Sequence, residues 1–473
     1  MKGKAASAHL RRTLLAATLA GVVVGAQLPA SSSGFAAPRP PTQAGARTTA
    51  PVKLPASSGE PAAKQPKKLS IGEQPDRRTR HSSTRYNADH TFTTTTSTHP
   101  LNYRVRNGGW EPIDSTLVST REKGYAFQNR ANSWQALFKD QLGDEYLRWM
   151  ADGQSVTMTL QGASKAKATT KGSTIGYQEA LPHLDATYNV LGDGLEEVLT
   201  LKDGQAPSNF QFLVKAPEGT TATEQPDGSW VFVIPGHAPG SFWLKAPYAY
   251  DSGTKNVEPG QPHAQMSVKE GKNGFDVTLS LDQSWLKDPS RKFPVFLDPT
   301  ITTQPDTLDT TFMADCGGCT GFVHSSGRMF IGTDQSHAYR EATQFDLSAI
   351  PAGVTINRAS LGVFYDQACI AISNGKFCAG INHQIDVHRM TAAWSTTSTT
   401  SSVQFDPTVL SSFTLALNAG YESMTWDVTS AVSGWASGAQ PNYGLYLMLN
   451  SEPKSASGPA PPGNTFQVGQ LAP

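Results

Sequence analysis

The sequence predicts an all-β protein of two β-rich domains. Three observations lead there. Charged residues make up 16% of the 473, against about 25% in an average soluble domain. Thr, Ser, Gly and Pro fill the difference, and these suit strands and turns rather than helix surfaces. Apolar residues recur at period two in one stretch after another. Turn dipeptides of the Asn-Gly and Asp-Gly type separate those stretches.

The N-terminus has the pattern of an export signal. Lys2, Lys4, Arg11 and Arg12 form a basic head, and Leu14 to Val24 is apolar. Gly34-Phe35-Ala36 is a small-residue site, so residues 1–36 are expected to be a signal peptide cleaved after Ala36. The apolar run is shorter than the roughly 20 residues of a membrane span. Residues 37–84 are rich in Pro, Ala, Ser and Lys and poor in large apolar residues. Such a segment buries too little to offset its ordering entropy, so it reads as a disordered linker.

Residues 85–300 form the first β-rich region. Val156, Met158 and Leu160 alternate with Thr157 and Thr159. Met266 and Val268 face Phe275, Val277, Leu279 and Leu281 across Asn273-Gly274, a hairpin signal. Asp193-Gly194 separates Tyr188 to Val190 from a run holding Leu195, Val198, Leu199 and Leu201. Asp227-Gly228 precedes Trp230 to Ile234. Ser284 to Asp288 reads as one helical turn stopped by Pro289. Sandwich packing is the way to bury such strands.

Residues 301–473 form the second region. Arg340 to Ile356 reads as strand, polar turn, strand, with Phe345 and Leu347 alternating before the breakers Pro351 and Gly353. Leu361 and Val363 resume the alternation. Ile385 to Met390 is a further strand, and Met424 to Leu449 reads as strand, short helical turn, strand. The run Ser395 to Ser402 is expected to be an exposed loop.

Three blocks of this region resemble the DNRLRE domain, also grouped as carbohydrate-binding module family 96. They are Phe345-Asp346-Leu347-Ser348 through Gly353, Ile385 to Trp394, and Trp426-Asp427-Val428-Thr429 through Trp435; Asn442-Tyr443-Gly444-Leu445 also fits. The resemblance implies a jelly-roll sandwich that binds extracellular glycans. It lacks one aromatic, because Val403-Gln404-Phe405 stands where family members carry a second Thr–Trp strand. The Pro/Gly-rich tail from Ser455 leaves the final strand unaccounted for, the expectation being a module cut short. The first region is similar to the leader of long secreted actinobacterial proteins of the Rhs type. Gly109 to Asp114, Glu224 to Trp230 and Pro289 to Thr300 carry that similarity. Such proteins continue into tyrosine–aspartate repeats and a C-terminal toxin.

In an exported chain, Cys316, Cys319, Cys369 and Cys378 favour two disulfides, with three pairings open. A zinc site using the Cys316-Gly317-Gly318-Cys319 spacing is the rival. Trp394, Trp426 and Trp435 are expected in the core, since they sit inside fold-defining blocks. Tyr365, Tyr443 and Tyr446 are glycan-stacking candidates where they point outwards. Asp386 and His388 share one strand face, opposite Ile385 and Val387, and could hold a sugar hydroxyl or a metal; a solvated face is the plainer expectation. Asp346 and Asp427 are expected to cap turns rather than bind calcium.

No nucleophile elbow, zinc-protease helix or phosphate loop is present. Glu196 and Glu197 are neighbours on a strand and so point to opposite faces, which disqualifies them as a catalytic pair. With 39 basic and 39 acidic residues the net charge is zero, which argues against nucleic acid as a partner. The expectation is therefore a secreted, non-catalytic protein without cofactor or metal that binds extracellular or cell-wall polysaccharide. The alternative is a structural or delivery segment of an Rhs-type toxin system.

Overall fold

The computed structural model describes residues 21–27, 69–106, 108–225, 228–236, 242–252, 263–302, 309–315, 317–318, 329–333, 338–365, 383–395, 398–415, 422–452 and 468–472. The protein is built almost wholly of antiparallel strands, as the composition predicts. Among the described residues no helix is long and apolar enough to cross a membrane.

The first region is a two-sheet sandwich. One sheet has eight strands, ordered from Ala264–Gly271 through Gly274–Leu281, Asn209–Lys215, Gln154–Leu160, Leu147–Ala151, Trp134–Phe138 and Phe127–Ala131 to Asp114–Ser119. The other has ten and includes Thr174–Leu181, Leu184–Val190, Gly194–Leu201 and Thr300–Thr302. A single apolar core joins their inner faces, with Phe138, Tyr146, Tyr177, Tyr188, Phe212 and Phe232 buried in it. The Trp134 and Trp149 rings stack 4.1 Å apart.

The Asn-Gly hairpin forms where it was expected. Ala264–Gly271 pairs with Gly274–Leu281, and Gly271 faces Gly274 across a two-residue loop. Gly274 has φ +133°, and a Cβ there would lie 2.4 Å from the Val214 carbonyl oxygen. The strands on either side of Asp193 also pair, as do Thr221–Glu224 and Trp230–Val233, while Asp227 of the expected Asp-Gly turn lies outside the described residues. The single helical turn is Gln283–Leu286, and Asp282 caps it by accepting from the Ser284 and Trp285 amides.

The second region wraps one continuous ladder of strands round a separate core of Phe345, Leu361, Val387, Trp426, Val432 and Leu447. The predicted strand–turn–strand run is realised as Glu422–Asp427, the helix Thr429–Ala436 and Leu445–Leu449. Trp426 and Trp435 are buried, as expected of core residues. Asp427 and Asp346 act as turn caps: each accepts a backbone N–H two residues on, from Thr429 and Ser348, both at 2.9 Å.

Four features differ from the sequence reading. The strand Ala338–Thr343 stops before Phe345, so Phe345 and Leu347 lie in the connection to Thr355–Tyr365. Phe345 still turns inward and is buried. The final strand that the tail left in doubt is Val468–Ala472, paired with Met329–Thr333 and with the end of Thr355–Tyr365.

The third difference concerns residues 69–97. The described backbone resumes at Leu69, inside the segment expected to be linker. Ser82–Tyr86 and Thr91–Ser97 form a hairpin that belongs to the second region's sheet. Phe92 and Tyr86 enter its core. Ser82 and Thr96 hydroxyls donate to the Asp346 carbonyl at 3.0 Å, and Thr84 donates to that of Ala349 at 3.1 Å. The fourth is Gly21–Gln27, within the predicted signal peptide. It lies as a strand between Thr91–Ser97 and Thr355–Tyr365, antiparallel to both. Three consecutive valines flanked by glycines favour that conformation over a helix.

Two sequence blocks are tied together at Gly444. Asn442 donates to the Phe345 carbonyl at 2.9 Å and accepts from the Gly444 amide at 3.0 Å. Gly444 has φ +95°, and a Cβ there would lie 2.3 Å from the Thr343 carbonyl oxygen. Gly444→Ala is therefore expected to destabilise the second sandwich by at least about 1–3 kcal/mol. Denaturant titration of the full chain checks this; a midpoint equal to that of the wild type would contradict it.

Candidate functional site

Three candidate residues from the sequence, Asp386, His388 and Tyr446, lie together on one face of the second sandwich. In the strand His383–Arg389, Ile385 and Val387 point into the core. Asp386 and His388 point the other way, as the alternation requires. Pairing with Leu445–Leu449 sets His388 opposite Tyr446 and Asp386 opposite Met448. Pairing with Ser411–Leu415 sets Asp386 opposite Ser412.

This face is not solvated as expected. Asp386 and His388 are each only 6% exposed and Tyr446 3%. The cause is the connection after Arg389, which folds back over the face. Met390 bridges to Phe405, the Thr391 amide donates to Gln404 O, and the Leu410 amide donates to Val387 O. Phe405 is thereby set edge-on against the His388 ring at 5.2 Å and against Tyr446 at 4.9 Å. His388 Nδ1 lies 3.0 Å from the Asp406 carbonyl oxygen. Asp386 Oδ1 accepts from Ser412 Oγ at 2.6 Å and from Gln384 Nε2 at 2.8 Å.

Tyr443 is half-buried beside this cluster, and its carbonyl accepts from Trp394 Nε1 at 2.7 Å. Trp394 is half-buried against Phe312 and Tyr443. Tyr365 ends its strand, but its side chain lies outside the described residues. All four cysteines, and with them both the disulfide and the zinc expectation, lie outside the described residues too.

Two residues of this face were missed. Arg340 forks onto Glu452 with both contacts at 2.8 Å. Burial alone would pull the guanidinium down, yet the Glu452 carboxylate outweighs it and holds it above its ordinary value. Burial pushes the Tyr446 hydroxyl up to about 12, against the opposing pull of Arg340. Nothing local marks the Arg340–Glu452 pair, because 112 positions separate them and only the strand register brings them together. The arrangement is a closed polar and aromatic cluster that contains the Arg340–Glu452 ion pair. Its accessible margin is the edge strand, where Ser412 and Thr414 are exposed and Gln384 is half-exposed.

The first sandwich holds a second ionisable cluster, sealed between its sheets. Glu197 is 2% exposed, while Glu196 is half-buried on the opposite face, so the two do not form a pair. The Tyr188 hydroxyl donates to Glu197 Oε1 at 2.5 Å and lies 2.6 Å from the Tyr146 hydroxyl. Burial pushes Glu197 up to about 8; the Tyr188 hydrogen bond pulls it down and the nearby Asp298 pushes it further up. Among the described residues, no three His, Cys, Asp or Glu side chains are placed to share a metal.

No family model matches the chain. Its sequence is 23% identical over 420 residues to the tRNA3(Ser)-specific nuclease WapA of Bacillus spizizenii. It is 23% identical over 423 residues to the tRNA nuclease WapA of Bacillus subtilis strain 168 and, at the same identity and length, to the tRNA(Glu)-specific nuclease WapA of Bacillus subtilis subsp. natto. Each match covers 81% of this chain and 17% of the relative. The chain is thus similar along most of its own length to a minor part of much longer proteins named as tRNA nucleases.

Proposed function

We propose that the chain is an exported, non-catalytic β-scaffold that carries and presents the active part of a longer toxin-type protein outside the cell. One observation carries this reading: what is shared with the tRNA nucleases fills 81% of this chain but only 17% of those proteins. Physical arguments support it. A net charge of zero suits a carrier better than a surface that grips tRNA phosphates. Glu197, a carboxyl held near neutrality among the described residues, is sealed between sheets. The basic, apolar and small-residue pattern of residues 1–36 supports export.

A carrier is testable by what it carries. A reporter enzyme fused behind Pro473 is expected at the cell surface or in the medium, held there by the folded region, when residues 1–473 precede it. Residues 1–68 alone are expected to release it without retention at the wall. Equal retention by both fusions would contradict the proposal.

Polysaccharide binding by the second sandwich is the second reading. It is favoured by the polar margin of Gln384, Ser412 and Thr414, two of whose side chains the buried Asp386 carboxylate holds in place. Pull-down on wall polysaccharides that weakens about tenfold in Asp386→Ala would support it, and equal retention of both proteins would count against it.

A further inference from the structure

At one end of the first sandwich the two sheets part over a shallow, open cleft. Phe210 lies at its base, and Gln161, Gln205, Asn209 and Gln211 line it together with Pro182. Gln161 directly follows the strand Gln154–Leu160, and its amide donates to the carbonyl of Gln211 on the adjacent strand at 2.8 Å. Pro182 comes from the other sheet, in the turn between Thr174–Leu181 and Leu184–Val190. Gln205 and Asn209 flank the end of the loop that crosses from Gly194–Leu201 to Asn209–Lys215. None of the side chains lining the cleft carries a charge.

The rim is held in a conformation that the chain would not adopt unaided. Pairing breaks register between Tyr177 and Leu181, with Glu179 at φ +53°. His183 follows Pro182 at φ +61°, a proline and positive-φ sequence of the type II kind, which suits glycine and is unusual in a two-residue hairpin. Ionic contacts behind the rim hold it. Lys202 Nζ lies 2.6 Å from Glu179 Oε1 and 2.7 Å from Asp185 Oδ1. The His183 amide donates to Glu179 Oε2 at 3.1 Å. His183 Nδ1 lies 2.8 Å from Asp203 Oδ2, and Asp203 Oδ1 accepts from the Gln205 amide at 2.8 Å. These charged groups contact one another behind the rim, and carboxamides face the cleft. Strained backbone held by its surroundings in this way concentrates at binding sites.

We propose that this cleft binds an uncharged oligosaccharide. Each carboxamide presents a donor and an acceptor side by side, which matches the vicinal hydroxyls of a sugar. The accessible rings of Pro182 and Pro207 suit its apolar C–H faces. A ligand carboxylate or phosphate would find no cation in the lining. A peptide would find no free strand edge, because Gln154–Leu160, Thr174–Leu181 and Asn209–Lys215 are each paired on both sides. This site is separate from the carrier reading and from the face that holds Asp386.

Calorimetric titration of the full chain with cellohexaose, maltohexaose and chitohexaose tests the proposal, with oligogalacturonate and a proline-rich peptide as counter-probes. Saturable binding of at least one neutral sugar, insensitive to salt, is the expected result. Gln205→Ala with Gln211→Ala should weaken it by about tenfold or more, with an unchanged unfolding midpoint. Lys202→Met, which loosens the rim without touching the lining, should weaken it less. Asp386→Ala should leave it intact. Absence of binding by all three neutral sugars at millimolar concentration would overturn the proposal. So would binding untouched by the double substitution, or binding of the acidic sugar or the peptide alone.

Discussion

Glu197→Gln is expected to abolish a pH dependence that dominates the stability of the first sandwich. In the folded chain the Glu197 carboxyl stays protonated up to about pH 8, against an ordinary value of 4.5. Between those limits the unfolded chain releases a proton that the folded chain keeps. Stability therefore falls as pH rises from 4.5 to 8 and levels off above 8, a loss on the order of 3–5 kcal/mol. Glutamine keeps the shape and the acceptor for Tyr188 without the ionisation. The variant should match the wild type near pH 4.5 and exceed it near pH 8, with the slope between them gone. Urea unfolding at the two pH values measures this. A wild type whose first transition is as stable at pH 8 as at 4.5 would show that the acid is not buried as described.

The second large effect is expected at Trp426. Its side chain is fully buried, packs against Phe413 at 5.7 Å, and donates from Nε1 to the Ile385 carbonyl at 2.9 Å. Trp426→Ala should cost the second sandwich about 3–5 kcal/mol, from the cavity left behind and from a buried carbonyl without its donor. Trp426→Phe should cost less, because most of the volume is kept. The loss should appear only in the transition of the second sandwich. The near-ultraviolet signal of the stacked Trp134–Trp149 pair should melt where it does in the wild type. A shift of both transitions together would mean that the two cores unfold as one.

The features legible in the sequence were those with a local cause. The 264–281 hairpin follows from alternation round Asn273-Gly274. The Asp346 and Asp427 caps follow from a short carboxylate two residues before an amide it can reach. Trp426 and Trp435 were expected in the core because they sit inside the block that carries the family resemblance, and both are buried. What escaped has no local cause. Ser82–Tyr86 and Thr91–Ser97 bury Ser82, Thr84, Thr94 and Thr96 and satisfy several of those hydroxyls on backbone carbonyls some 250 residues away. A strand that buries hydroxyls shows no apolar period, so its composition resembles a linker. Asp386 and His388 were placed on the correct face but not recognised as buried, because their cover is a loop whose path depends on Phe405. The Arg340–Glu452 fork depends on strand register alone.

The account stands most directly on one assay. Purified full-length chain, at micromolar concentration and with divalent cations supplied, is incubated with total tRNA at neutral pH. The proposed carrier role predicts tRNA that stays full-length over hours. Discrete cleavage products that appear with the wild type and disappear on heat denaturation would contradict it.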